Sequence, residues 1–156
     1  MIPLARILYI DDSVRDTELA LEVLKEANLA NEVFVLRDGV EALDYLFCRG
    51  RFENQFHEQP AVILLDLKMP KIDGIEVLRQ IKADPILKVI PVVVMTSSRE
   101  DNDLTMCYQL GANAYVVKPV EFHEFLDAIR NLGVFWAVLN TPPPNPSELA
   151  DKKKGE

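Results

Sequence analysis

The chain has 156 residues and a formal net charge of −8, with 49% hydrophobic and 27% charged residues. This length suits one compact domain, and the balance of apolar and charged residues excludes disorder over most of the chain. The acidic charge offers no attraction to nucleic acid or to an anionic membrane surface, and no apolar run approaches the roughly 20 residues of a membrane span.

Five short apolar segments have the character of β-strands, and they alternate with helical patterns. They span residues 4–10, 32–36, 61–65, 90–95 and 114–117. The third and fourth are apolar at nearly every position, which is typical of strands covered on both faces of a parallel sheet. This alternation predicts an α/β fold with a doubly wound parallel sheet.

Apolar residues spaced three and four positions apart predict helices between these strands. The first stripe is Leu19 or Ala20 with Val23, Leu24 and Ala27, and the second is Ile75 and Leu78 with Ile81 or Val77. The third, which is weaker, is Leu104, Cys107, Tyr108 and Gly111, and the fourth is Phe122, Phe125, Leu126, Ile129 and Trp136. Ser13 stands where the N-cap of the first helix belongs, with Asp16 three residues later as in a weak capping box.

Two segments depart from this regular alternation. Residues 48–60 form a polar connection that is longer than the usual loop between a helix and a strand. Residues 141–156 are rich in proline and charge, and we expect an extended tail there. The chain therefore divides into a domain over 1–140, with an extended last helix, and a tail over 141–156.

Carboxylates follow two of the predicted strands. Asp11 and Asp12 end the first strand and Asp66 ends the third. If the strand order is 2-1-3-4-5, the first and third strands are neighbours, and the three carboxylates crowd the carboxyl edge of the sheet, where such folds bind ligands. Two unit charges about 4 Å apart repel by about 4 kcal/mol at an effective dielectric constant of 20. Such a cluster favours a cation, and a set of oxygen ligands favours Mg²⁺.

A hydroxyl and an ammonium group are expected at the same edge of the sheet. Thr96 ends the fourth strand, and Lys118 follows the fifth. Carboxylates, a divalent ion, a hydroxyl and a lysine are the groups that phosphoryl transfer to an aspartate requires. In that chemistry the cations and the hydroxyl stabilise the phosphoryl oxygens while one carboxylate attacks.

These residues resemble the signature of two-component response-regulator receiver domains over about residues 4–131. The matching positions are Asp11-Asp12, the segment 66–70 with Asp73-Gly74, Thr96, Gly111-Ala112 leading to Tyr115, and Lys118-Pro119. The strings LLDLKMPKIDG and IPVVVMTSS, the connection 48–60 and the pair Phe135-Trp136 resemble one subgroup of these proteins. That subgroup is the small response regulators of cyanobacterial and bacterial phytochromes.

The resemblance implies a flavodoxin-like (βα)5 fold with strand order 2-1-3-4-5. It also implies a function: the chain accepts a phosphoryl group from a sensor histidine kinase, in this subgroup a phytochrome. A response regulator of this kind signals through protein contacts without a DNA-binding output domain. It is not an enzyme, apart from Mg²⁺-assisted self-phosphorylation and slow self-dephosphorylation.

The resemblance also assigns roles to individual residues. Asp66 is the phospho-acceptor, and Lys118 contacts the phosphoryl group, held by a cis peptide bond to Pro119. Thr96 and Tyr115 form the switch pair. The Mg²⁺ ligands are Asp12, Asp66 and the backbone carbonyl of Lys68, with Asp11 acting mostly through water. Lys68, two residues after the acceptor, departs from many family members, and together with Ser98 it is expected to tune hydrolysis. Gly74 is expected to supply a turn with positive φ.

Two other functions remain open from the residues alone. Metal-dependent phosphatases with an aspartate nucleophile generally carry a second aspartate two residues later, where this chain has Lys68. A receiver-like module that is never phosphorylated would not need the intact set of Asp11, Asp12, Asp66, Thr96 and Lys118.

The end of the last helix predicts a homodimer. Past Leu132 its polar face vanishes, and Val134, Phe135, Trp136, Val138 and Leu139 point in every direction. Burial of a large apolar side chain is worth roughly 1.5–3 kcal/mol, so an exposed cluster of this kind indicates a partner surface. Single-domain receivers commonly pair, and two-fold contacts are the commonest, so we expect Phe135 and Trp136 to contact a second copy. The alternative is that residues 48–60 or 142–144 fold over the cluster.

Cysteine and histidine usage predicts the compartment and argues against a zinc site. Cys48 and Cys107 cannot form a disulfide framework, and the N-terminus lacks the pattern of a signal peptide, so we expect a cytoplasmic protein. His57 and His123 are far apart in sequence, without a nearby cysteine pair.

Overall fold

The structure is a computed structural model that describes residues 7–29, 33–55 and 59–144. Its strands are β1 (Ile7–Ile10), β2 (Val33–Leu36), β3 (Val62–Leu65), β4 (Val92–Thr96) and β5 (Ala114–Val117). They form one sheet in the order β2-β1-β3-β4-β5, and every neighbouring pair is parallel. The predicted doubly wound fold and its strand order are therefore confirmed.

The helices are α1 (Val14–Glu26), α2 (Gly39–Leu46), α3 (Gly74–Ala83), α4 (Asp101–Leu110) and α5 (Phe122–Val134). The predicted N-cap of α1 is confirmed, because the Ser13 side chain accepts a hydrogen bond from the backbone N–H of Asp16. Asp38 and Asp73 cap α2 and α3 in the same way. Such caps satisfy donors that the first helical turn leaves unpaired.

Alternating side chains of the strands divide the core into two layers. On β1, Leu8 and Ile10 pack with residues of α2, α3 and α4, whereas Ile7 and Tyr9 pack with residues of α1 and α5. Both faces of the central strands are thus buried, as their continuous apolar sequence predicts. Of the weak apolar stripe in α4, Cys107 is buried, while Leu104 and Tyr108 are 38% and 51% exposed.

The connection after α2 is more ordered than its polar sequence suggests. It contains a 3₁₀ turn over Gly50–Phe52, and the ring of Phe52 is buried edge-on against Tyr45 and Phe34. Residues 56–58 of this connection lie outside the described part of the chain.

The last helix continues beyond α5 as a π-helical segment, Phe135–Leu139, in agreement with the predicted extension. Ala137 in this segment is buried, whereas Phe135, Val138 and Leu139 are 48%, 57% and 69% exposed. Residues 145–156 lie outside the described part, so the division into domain and tail stays a prediction. Among the described residues, no helix has both the length and the apolar character needed to cross a membrane.

Candidate functional site

Three carboxylates meet at the carboxyl edge of the sheet. Asp11 and Asp12 follow β1, Asp66 follows β3, and the backbone N–H of Asp66 donates to the carbonyl of Ile10 at 2.9 Å, so the two strand ends are held side by side. One oxygen from each carboxylate lies within 4.8 Å of the others. Asp11 and Asp66 are buried, and Asp12 is exposed. This set of oxygen donors, open on the side of Asp12, fits a hard divalent cation.

Lys118 brings a positive charge into the carboxylate cluster. Its Nζ lies 2.8 Å from Asp11 Oδ2 and 3.5 Å from Asp66 Oδ2, and it also lies 2.9 Å from Oδ2 of Asp16 in the first turn of α1. Burial alone would lower the pKa of Lys118. The hydrogen bond to Asp11 and the charges of Asp11 and Asp66 outweigh burial and raise that pKa above its ordinary value. Lys118 therefore stays charged and neutralises part of the cluster.

The surroundings of Asp66 shift the pKa of its carboxyl group. Burial, reinforced by the charge of Asp11, raises the pKa of Asp66 to about 6. The charge of Lys118 and a hydrogen bond from the backbone of Lys68 act in the opposite direction. Near pH 7 the group is mostly ionised, the state in which a carboxylate is a nucleophile.

The prediction of a cis peptide bond between Lys118 and Pro119 is wrong. The described residues contain no cis peptide bond. The trans form of an X–Pro bond is favoured by about 0.5–1 kcal/mol. With the trans bond Lys118 already contacts Asp11, Asp16 and Asp66, so none of these contacts requires the cis form.

Thr96 and Tyr115, the expected switch pair, are joined through Ser98. The buried Thr96 accepts a hydrogen bond at Oγ1 from the backbone N–H of Ser98 at 3.2 Å. The half-buried Tyr115 donates its hydroxyl to the carbonyl of the same Ser98 at 3.2 Å. A displacement of the Thr96 hydroxyl would therefore act on Tyr115 through the backbone of one residue.

Ser98 also connects this loop to α4 and to Lys68. Its Oγ donates to Asp103 Oδ2 at 2.6 Å, and the Nζ of Lys68 lies 3.6 Å from the same oxygen. The Lys68 side chain is 63% exposed, so this ion pair is partly screened by solvent. The ammonium of Lys68 is thus paired with α4 in this structure, and its expected effect on hydrolysis stays a prediction.

Position 74 requires glycine for a different reason from the one expected. Its φ is not positive; it is the first residue of α3. A Cβ at this position would lie 2.1 Å from the carbonyl oxygen of Asp66 and 2.7 Å from the Cα of Leu67. Glycine is therefore required because α3 begins in direct contact with the backbone of Asp66.

Sequence reasoning missed three residues that touch this site, namely Tyr9, Asp16 and Asp103. The signal for Tyr9 was available, because a residue two positions before Asp11 in a strand points to the same face. Asp16 was assigned only to the capping box, although the first turn of α1 also faces the carboxyl edge of the sheet. Asp103 carries no sequence signal, since its role depends on how α4 packs.

Comparison with known proteins places this geometry in a family. The family profile described as "Response regulator receiver domain" matches residues 7–130. The response regulator Rcp1 of Synechocystis sp. (strain ATCC 27184 / PCC 6803 / Kazusa) is 40% identical over 137 residues, which are 88% of this chain and 92% of that protein.

Solved structures of similar proteins share the fold over nearly their whole length. The phosphorylated cyanobacterial phytochrome response regulator RcpA is similar with a TM-score of 0.83 and 37% identity, over 90% of this chain and 99% of that one. The Mn²⁺-bound form of Rcp1 has a TM-score of 0.82 and 40% identity, over 88% of this chain and 98% of that one. The bacteriophytochrome response regulator AtBRR is 56% identical with a TM-score of 0.68, over 88% of this chain and 99% of that one.

Proposed function

The chain belongs to the family of response regulator receiver domains, and from that premise we propose that it carries a phosphoryl group on Asp66 within a two-component phosphorelay. The observation that supports this role best is the arrangement around Asp66. A buried, mostly ionised carboxylate lies between two further carboxylates and a lysine at the carboxyl edge of the sheet.

The reaction is a transfer from nitrogen to oxygen. An oxygen of Asp66 attacks the phosphorus atom of a phosphohistidine, a P–O bond forms, and the P–N bond breaks with its electron pair remaining on the imidazole. The product is an acyl phosphate on Asp66. Lys118, already 3.5 Å from Asp66 Oδ2, supplies a positive charge beside the transferred group.

Mg²⁺ is the cofactor that the donor set favours. Asp11, Asp12, Asp66 and the backbone carbonyl of Lys68 would hold it. When bound, it neutralises negative charge on the phosphoryl oxygens. The solved Mn²⁺-bound form of Rcp1 supports a divalent cation in a protein of this kind.

A sensor histidine kinase is the phosphodonor expected for this family, and the similarity to RcpA and AtBRR favours a phytochrome kinase. Three exposed apolar side chains lie on segments that follow β1 and β5, at the same edge of the sheet as the carboxylates. Val14 begins α1, Phe122 begins α5, and Val120 is 96% exposed in the loop that follows Lys118. They provide an apolar docking face next to Asp66.

A cytoplasmic location stays a prediction.

We favour signalling through protein contacts over signalling through DNA binding. The segment Phe135–Leu139 is the proposed contact between two copies of the chain. Phe135 and Trp136 stack edge-to-face with their ring centroids 5.2 Å apart, and Phe135 is 48% exposed. An apolar cluster of this kind at the end of a helix suits a two-fold interface, in which each surface meets its own copy.

The test of the proposed function is phosphate uptake by Asp66→Asn. The full chain is incubated with acetyl phosphate and Mg²⁺, and the added phosphoryl mass is measured, with Asp127→Asn on the exposed face of α5 as the control. We expect uptake in the wild type and the control and none in Asp66→Asn, because an amide is not a nucleophile. An alkali-labile phosphoprotein from Asp66→Asn would contradict the assignment. Sustained turnover of a phosphomonoester by the wild type would favour the phosphatase alternative.

A further inference from the structure

Tyr9 places a buried hydroxyl directly behind the carboxylate cluster. Its side chain is 3% exposed, and its hydroxyl donates to Asp11 Oδ2 at 3.2 Å. An ionised carboxylate only accepts hydrogen bonds, so the Tyr9 hydroxyl is the donor in this contact.

The position of Tyr9 in β1 explains why it reaches Asp11. Residues two apart in a strand point to the same face, and a tyrosine is long enough to bring its hydroxyl to the end of the strand. The ring is held in the core layer formed with α1 and α5, among residues such as Ala20 and Phe125. The packing of that layer thus fixes where the hydroxyl points.

Both oxygens of Asp11 have partners in this structure. Oδ1 accepts from the backbone N–H of Ser13 at 2.9 Å, and Oδ2 accepts from Tyr9 and from Lys118. Lys118 also pairs with Asp16 and Asp66. Lys118 thus divides its charge among three carboxylates, whereas the hydrogen bond from Tyr9 goes to Asp11.

We propose that Tyr9 is a positioning residue that orients the Asp11 carboxylate for the divalent cation. This inference rests on the cation site of the proposed function. The Tyr9 hydroxyl and Lys118 hold Oδ2 while the backbone N–H of Ser13 holds Oδ1, so the carboxylate is already oriented when the cation arrives. Loss of such an outer partner of a metal-binding group typically weakens metal affinity by about 10–100-fold.

The experiment measures Mn²⁺ and Mg²⁺ affinity of the full chain by calorimetry after removal of metal with EDTA and dialysis. Tyr9→Phe keeps the ring and removes the hydroxyl, and we expect its dissociation constant to be about tenfold weaker than that of the wild type. The matched control is Tyr45→Phe, a buried tyrosine in the core layer on the other face of the sheet. We expect its metal affinity to equal that of the wild type.

A double-mutant cycle separates positioning from general stability. If Tyr9 acts through Asp11, the substitution Tyr9→Phe has no further effect on affinity in an Asp11→Ala background, where no side-chain oxygen accepts from the phenol. Equal affinity in Tyr9→Phe and the wild type, or an equal loss in Tyr45→Phe, would overturn the inference. A wild type that binds neither ion would overturn the cation site itself, and this role with it.

A second measurement needs no substitution at Tyr9 during the titration. Tyrosine labelled with ¹³C at Cζ reports the hydrogen bond of each phenol by NMR, and the signal of Tyr9 is assigned by replacing the other tyrosines in turn. We expect the Tyr9 signal to shift as Mg²⁺ is added, with the midpoint found by calorimetry. A stationary Tyr9 signal while Mg²⁺ binds would overturn the inference even if Tyr9→Phe failed to fold.

Discussion

At the scale of single residues, the site is governed by the balance between one lysine and four carboxylates. Lys118 contacts Asp11, Asp16 and Asp66, and Asp12 lies exposed beside them. One positive charge does not neutralise four negative ones at these distances, and the residual repulsion is what a divalent cation relieves. We therefore expect a bound cation to add to the stability of the fold as well as to the chemistry.

Asp12→Ala tests this coupling between cation and stability. A cation present at a hundred times its dissociation constant adds about 2.7 kcal/mol to the free energy of unfolding. We expect the wild type to melt at a higher temperature with Mg²⁺ than with EDTA, and Asp12→Ala to melt at one temperature in both. In EDTA the variant should melt no lower than the wild type, because a repelling charge has been removed.

Thermal melts of Glu18→Ala provide the control, since Glu18 is an exposed acidic residue on α1. It should keep the full response to Mg²⁺. An equal response in Asp12→Ala and the wild type would remove Asp12 from the cation site.

The sequence predicts those site residues whose position follows from the strand order alone. Asp11, Asp66 and Lys118 each follow a strand, and all strands of a parallel sheet end at one edge, so their proximity follows from the strand order. The roles of Asp16 and Gly74 do not follow from the strand order. The role of Asp16 depends on how far the Lys118 side chain reaches, and the role of Gly74 depends on how closely α3 approaches the backbone of Asp66.

At the scale of secondary-structure elements, the beginning of α4 is secured in an unusual way. Its N-cap residue, Glu100, makes no capping hydrogen bond with its side chain, unlike Ser13, Asp38 and Asp73 in the other helices described above. Ser98 instead links the loop to the first turn of α4, because its Oγ accepts from the backbone N–H of Glu100 and donates to Asp103. The same residue joins Thr96 and Tyr115, so the start of α4 and the proposed switch pair share one anchor.

Ser98→Ala is expected to loosen the first turn of α4. A hydrogen bond contributes about 1 kcal/mol to stability, which corresponds to roughly fivefold faster amide exchange in the segment it holds. Hydrogen exchange measured by mass spectrometry or NMR should show this increase near Asp101–Leu110 and none in α1. Ser97→Ala is the matched control, since Ser97 is an exposed serine next in sequence. Equal exchange in the two variants would contradict the anchoring role of Ser98.

The elements differ in how well sequence patterns predict them. β3 and β4 were recognised because both of their faces are buried, which leaves a continuous apolar run. α2 was not placed from its own apolar spacing, since it has only eight residues and begins with Gly39, although Asp38 provides an N-cap. α4 gave a weak stripe because Cys107 is its one fully buried residue, while Leu110 is only partly buried against the same core layer.

At the scale of the whole molecule, two groups of exposed apolar residues lie in different places. Val14, Val120 and Phe122 lie just beyond the carboxyl ends of β1 and β5, whereas Phe135, Val138 and Leu139 lie at the end of the last helix. The first group belongs to segments that follow β1 and β5, so it shares the carboxyl edge of the sheet with Asp66. The second group lies beyond α5. This separation predicts that phosphodonor docking and pairing of copies are independent.

Val120→Glu tests the docking face. We expect transfer from an autophosphorylated phytochrome kinase to slow by at least about tenfold, because burying a valine is worth roughly 1.5–3 kcal/mol. Uptake from acetyl phosphate should be unchanged, because that donor needs no docking face. Val89→Glu is the control, since Val89 is also exposed but precedes β4 at the opposite edge of the sheet. A kinase transfer rate equal to that of the control would exclude Val120 from the docking face.

The segment Phe135–Leu139 has one side packed and one side open. Ala137 is buried, and Trp136 packs partly against the core layer of α1 and α5. Phe135, Val138 and Leu139 remain 48%, 57% and 69% exposed, so the described parts of residues 48–60 and 142–144 do not cover them. Because each buried side chain of this size is worth roughly 1.5–3 kcal/mol, we expect two copies to associate through this side.

Replacing Phe135 and Trp136 together by glutamate should therefore give a folded monomer. At roughly 50 μM, well above a dissociation constant of about 1 μM (a binding free energy of about −8 kcal/mol), we expect the wild type to sediment as a dimer. We expect the double variant to sediment as a monomer that still takes up phosphate at Asp66. Ile86→Glu is the control, because Ile86 is 58% exposed on the connection between α3 and β4 and should leave the dimer intact. Trp136 is the single tryptophan of the chain, so a blue shift of its emission with rising concentration follows the same association. A wild type that sediments as a monomer, whether phosphorylated or not, would contradict the homodimer.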